Sequence, residues 1–104
     1  MHEGENMLGQ MTEIRARLEW WETPGYDKVI SVKGTQQLLD DTALLLAMYD
    51  GAGLASDRAQ VIRAALQRWE DNPPQVGRPF TWDSLFSLVA AANWLLGAVE
   101  ARNA

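Results

Sequence analysis

Hydrophobic positions recur at helical spacing in four blocks along the chain. In the first, Met7, Met11, Ile14, Leu18 and Trp21 follow at steps of four, three, four and three. That is one stripe of an amphipathic helix and close to two heptads of a coiled-coil seam. Gln10, Glu13, Arg15, Arg17 and Glu19 fill the polar side, with Glu13 and Arg17 spaced to form a surface pair. Residues 1–6 read as a frayed lead-in. Thr23-Pro24-Gly25 stops the helix, because a residue before proline avoids helical dihedrals and glycine permits a turn.

The second block runs from about Gln36 to Tyr49, opened by Gly34 and by Thr35 as N-cap. Leu38, Leu39, Thr42, Leu45, Leu46 and Tyr49 form a broad apolar face, and Leu44 and Met48 widen it enough to meet two neighbours. Asp40 and Asp41 mark the wet side. Glycines at 51 and 53 provide the C-cap. In the third block, capped by Ser56 with Asp57 in its first turn, Ala59, Ile62, Leu66 and Trp69 make the stripe, flanked by Val61 and Ala65. The fourth, Phe80 to Glu100, has no charge between Asp83 and Glu100, and Thr81 stands at its N-cap position. A helix apolar on every side has to be surrounded, by its own chain, a partner or lipid. Leu85, Leu88, Ala92, Leu95 and Val99 form its bulky stripe, and Ser84, Ser87, Ala91 and Ala98 a smaller one. Residues 101–104 should fray.

Between the blocks, residues 26–34 (YDKVISVKG) hold β-branched residues but lack a pairing partner, so they read as an extended connector covering the helices. Residues 71–79 contain three prolines and read as a stiff connection. The expectation is an all-α fold: a single domain over 1–104, a compact antiparallel bundle of about four helices around the last.

Composition narrows the function classes. The chain has no cysteine, which removes disulfides, thiolate catalysis and zinc-thiolate sites and fits a cytoplasmic setting. Its one histidine, His2, stands in the lead-in, so histidine-assisted catalysis has no held imidazole. No Glu-x-x-His pair, phosphate loop or calcium-loop spacing occurs, so no cofactor or metal is expected. The net charge of −5 argues against nucleic acid and anionic membranes as partners. The uncharged run of the last block falls short of the ~18–20 residues that span a bilayer, and the polar N-terminus does not read as a secretory signal.

Five tryptophans are many for 104 residues. Trp69 and Trp94 fall on core stripes. Trp20 and Trp21 are adjacent on one helix, so both cannot point inward, and tryptophan is enriched at binding hot spots. Trp20, Trp21, Tyr26 and Trp82 are therefore the candidate protein interface. An alternative comes from the third block, which with the preceding glycine turn resembles a helix-turn-helix in outline. Arg58, Gln60, Arg63 and Gln67 would then be the candidates for base contact.

The segment Met11-Thr-Glu-Ile-Arg-Ala-Arg-Leu-Glu19, followed by Thr23-Pro24-Gly25, resembles the "IRARLE…TPG" opening of small phage and prophage accessory proteins of the Ead-like group. Asp41 to Ala47 loosely matches a later segment of that group; its tryptophan after TPG is absent, and Tyr26 stands near that place. The resemblance implies phage ancestry and transfers no activity. The secreted WXG-type hairpins are not matched, since Trp21 is followed by Glu22-Thr23-Pro24-Gly25. Together these readings lead to a non-enzymatic protein-interaction module. Its partner would be a bacterial host or defence protein, or a second copy in a homodimer that buries surplus apolar surface.

Overall fold

A computed structural model describes residues 3–23, 31–72 and 82–103, with side chains described over 9–23, 31–72 and 85–102. Within these residues the chain is all-α, in four helices: α1 (Glu3–Glu22), α2 (Val32–Gly51), α3 (Asp57–Asp71) and α4 (Trp82–Asn103). The helices at both ends reach further than the sequence suggests, into the expected lead-in at Glu3 and the expected fray at Asn103. Tyr26, most of the 26–34 connector, the prolines of 71–79 and the Thr81 cap lie outside the described residues.

One core cluster joins all four helices. From α1 it takes the expected stripe of Met11, Ile14, Leu18 and Trp21. From α4 it takes Leu85, Leu88, Ala92, Leu95 and Val99, joined by Val89 and Leu96. Ile14 and Leu95 are wholly buried, and each such side chain contributes about 1.5–3 kcal/mol relative to exposure. α1 lies antiparallel on α4. Arg15 pairs with Glu100 near one end, and the Asn93 amide donates to Glu22 at 2.7 Å near the other. α2 shares the largest interface with α4, and α3 folds back along α2.

α2 begins one turn earlier than expected. Ser31, not Thr35, is the N-cap: its Oγ accepts from the Gly34 amide at 2.8 Å. A Cβ at Gly34 would sit 3.0 Å from that oxygen, so the close cap favours glycine there. Thr35 is instead wholly buried inside the helix, its hydroxyl donating to the Ser31 carbonyl. Thr42 does the same to Leu38, so both hydroxyls enter the core satisfied. The 32–34 part of the expected connector is thus helical, and a serine cap accounts for it.

The turn after α2 follows the sequence closely. Gly53 adopts φ +78°, its amide donates to the Asp50 carbonyl at 3.0 Å, and the Leu54 amide donates to the Tyr49 carbonyl at 3.3 Å. These are the two bonds of a Schellman end, with half-buried Leu54 packed on the core. Ser56 then caps α3, accepting from the Ala59 amide at 3.1 Å.

One expectation is overturned by a contact between α1 and α2. Asp41 is not on the wet side; it is 3% exposed. Its carboxylate accepts two bonds from Arg17, at 2.7 and 2.8 Å, and a third from Gln37 at 3.0 Å. Arg17 therefore bridges α1 to α2, where the sequence suggested a surface pair with Glu13. Donating to the Asp41 carboxylate holds the Arg17 guanidinium above its ordinary pKa, burial opposes that shift, and the charges of Asp41 and Glu13 add to it.

α4 is also less enclosed than its composition suggests. Its bulky stripe is buried, but Phe86, Ala90 and Gly97 face outward. By length and composition Leu85–Arg102 is apolar enough to cross a membrane, with a mean hydropathy of 1.2. In this fold its buried residues belong to the shared core.

Candidate functional site

The end of α1 carries the tryptophan pair. The 3.6-residue period that buries Leu18 and Trp21 turns Trp20 outward. Trp21 is 6% exposed and Trp20 48% exposed, their ring centroids 5.0 Å apart at 85°. The edge-to-face contact props the outer ring on the buried one, so Trp20 is held in one orientation by a core residue. Of the other two candidates, Tyr26 and the Trp82 side chain lie outside the described residues.

A second feature gathers where α2, α3 and α4 meet. The Tyr49 hydroxyl donates to Ser56 Oγ at 2.9 Å, the same oxygen that caps α3. The Tyr49 ring lies 5.5 Å from Trp94 of α4, and the Arg58 guanidinium sits 5.0 Å over Trp94. This aromatic junction fixes the first turn of α3. Further along, α3 separates from α4 and leaves a groove of about 610 Å³. Ile62, Leu88 and Ala91 line it together with Val61, Ala65 and half-buried Trp69; Arg58 and Arg68 also border it. Val61, which the sequence placed beside the core stripe, is 66% exposed. A smaller groove of about 280 Å³ lies on the other side of Trp69, between α2 and α3.

The four candidates for base contact do not share one surface. Gln60, Arg63 and Gln67 fall on one side of α3, while Arg58 is turned to α4 by Trp94. Arg63 donates to both Asp50 oxygens, at 3.0 and 2.9 Å, and Gln67 donates to Asp71 at 3.2 Å. Two of the three outward groups thus already hold carboxylates of the same chain.

Sequence reasoning missed Asp41 and the groove. A signal for Asp41 was present: it lies three residues after Leu38 and four before Leu45, within the core stripe. A carboxylate in that register requires a buried cation or donor. Among the described residues no side-chain polar atom is buried without a partner, and no cluster of three or more histidine, aspartate or glutamate side chains could hold a metal. No protein-family model, curated protein or solved structure matches the chain.

Proposed function

We propose that the protein is a non-enzymatic interaction module, in its concrete form a phage-encoded protein that binds and modulates a bacterial host or defence protein. One observation carries the interaction reading: Trp20, a large ring 48% exposed, is held edge-on by buried Trp21. Association loses less side-chain freedom when the contacting ring is already fixed. Tryptophans of this kind dominate the binding energy of interfaces. The phage origin rests on the Ile14-to-Glu19 and Thr23-Pro24-Gly25 resemblance. The non-enzymatic reading rests on a chain whose single histidine is His2 and which has no cysteine.

The test begins with sedimentation equilibrium over a wide concentration range, which separates self-association from a foreign partner. Pull-down from bacterial lysate then compares the wild type with Trp20→Ala. The expected result is a stoichiometric bacterial protein retained by the wild type and lost by the variant, with unchanged circular dichroism. A dimer that Trp20→Ala dissociates would assign the surface to a second copy. Capture insensitive to Trp20→Ala, or no capture and no dimer, overturns the reading.

A further inference from the structure

We infer that the groove between α3 and α4 is a second docking surface, and that its occupant is an acidic amphipathic helix of about four turns from another protein. The inference rests on the interaction-module reading and adds a site that the Trp20 surface does not include.

Two independent features point to this occupant. The first is shape and polarity. The groove is open and mainly apolar, and Val61, at 66% exposure, stands on its α3 wall. It extends along α3 from Arg58 to Asn72, fourteen residues apart, a rise of about 21 Å. A helix laid into such a groove presents apolar anchors at i, i+3 or i+4, and i+7.

The second is charge. The chain carries −5 overall, yet the described lining includes two arginines and no carboxylate. Of the other described arginines, Arg15, Arg17 and Arg63 each hold a carboxylate of the same chain, and Arg102, in the last turn of α4, does not border this groove. Arg58 rests on the Trp94 face instead and has no carboxylate partner among the described residues. Arg68 likewise has no carboxylate partner among the described residues. The two cations stand ten residues apart on α3, a rise of about 15 Å. A bound helix therefore matches them with acidic residues ten or eleven positions apart, flanking its apolar stripe. A basic or neutral helix would leave both cations facing like charge or apolar surface.

The test uses the full chain and a displayed library of fourteen-residue peptides held helical on a scaffold. It is selected in parallel against the wild type and against Arg58→Glu/Arg68→Glu. Wild-type winners should combine an apolar stripe with acidic residues ten or eleven positions apart. Winners on the double variant should carry basic residues there. Val61→Glu should weaken the wild-type winners by about ten-fold or more, since it puts a carboxylate on the apolar wall facing their acids. Val61 and Arg68 are exposed, so the fold tolerates changes there; Arg58→Glu also removes the contact with Trp94, so circular dichroism checks the fold of the double variant, and Arg68→Ala gives a milder one that leaves the junction intact, expected to weaken binding several-fold.

Four results overturn the proposal whatever the behaviour of Trp20→Ala. One is winners indifferent to both Val61→Glu and the charge reversal. Another is a dimer that Val61→Glu dissociates, which would make a second copy the occupant. A third is a salt-dependent duplex DNA complex lost on reversing Arg58 and Arg68. The last is no winners at all. Winners sensitive to Trp20→Ala but not to Val61→Glu overturn this site alone and leave the interaction-module reading standing.

Discussion

The Arg17–Asp41 pair offers the sharpest energetic test, because its two partners are buried to different degrees. The Asp41 side chain is 4% exposed, whereas the Arg17 side chain is 39% exposed. Removing Arg17 leaves a carboxylate in the core with a single donor, Gln37. Breaking a fully buried pair in this way costs about 3–5 kcal/mol. Water reaches Arg17 and screens the pair, so Arg17→Leu should cost about 2–3 kcal/mol. Removing Asp41 is a different perturbation. Asp41→Leu places an apolar side chain between Leu38 and Leu45, and the freed guanidinium can turn to water and towards Glu13, one helical turn away. That substitution should cost no more than about 1 kcal/mol. The double variant should also lie within about 1 kcal/mol of wild type, because neither charge is left stranded.

Urea unfolding followed by tryptophan fluorescence measures all three. With a slope of about 1.2 kcal/mol/M, Arg17→Leu should lower the midpoint by about 2 M at constant slope. Equal losses for the two single variants, or an Arg17→Leu midpoint equal to wild type, would refute the argument that Asp41 is the stranded partner.

Further outcomes follow from other contacts. Trp21→Ala should lower stability by about 3–5 kcal/mol in calorimetry or denaturant unfolding, and Trp20→Ala, its exposed neighbour, by under about 1 kcal/mol. Tyr49→Phe and Ser56→Ala should each cost about 1 kcal/mol, and the double variant less than their sum, since the Tyr49 hydroxyl bonds the oxygen that caps α3. Gly53→Ala should cost about 1 kcal/mol, because φ +78° strains any residue with a Cβ; a midpoint at or above wild type would refute the Schellman turn.

The four helices were legible because each stripe repeats at helical spacing and most boundaries carry local chemistry. Ser56 and Gly53 acted as their residue types suggest. The start of α2 was misplaced because Ser31 and Thr35 are both competent caps four residues apart, and Gly34 between them looks like a break. What decides is whether glycine lets the serine oxygen come close, and this one does. Asp41 was misread for a different reason. Its neighbour Asp40 is exposed, and two adjacent acids look like one polar face. On a helix they are 100° apart, so one can be solvated while the other lies in the core. The partner that makes this tolerable comes from α1, 24 residues away, and no local pattern reveals it.

α3 shows the limit of periodicity most clearly. It has the plainest amphipathic pattern of the chain, yet only Ala59 and Ile62 of its stripe are fully buried; Leu66 and Trp69 are half-buried. The Ser56–Tyr49–Trp94–Arg58 junction pins its first turn to α2 and α4. Beyond that turn Leu66 and Trp69 still pack on the core but are only half-buried, and Trp69 lines both grooves. A hydrophobic period locates apolar surface on a helix; helix packing decides what covers it. The two properties that bear on function, Trp20 outside the α1 stripe and the open far half of the α3 stripe, are both departures from a fully closed bundle. The first could be read from two adjacent tryptophans on one helix. The second depended on where α4 passes, which only the assembled fold defines.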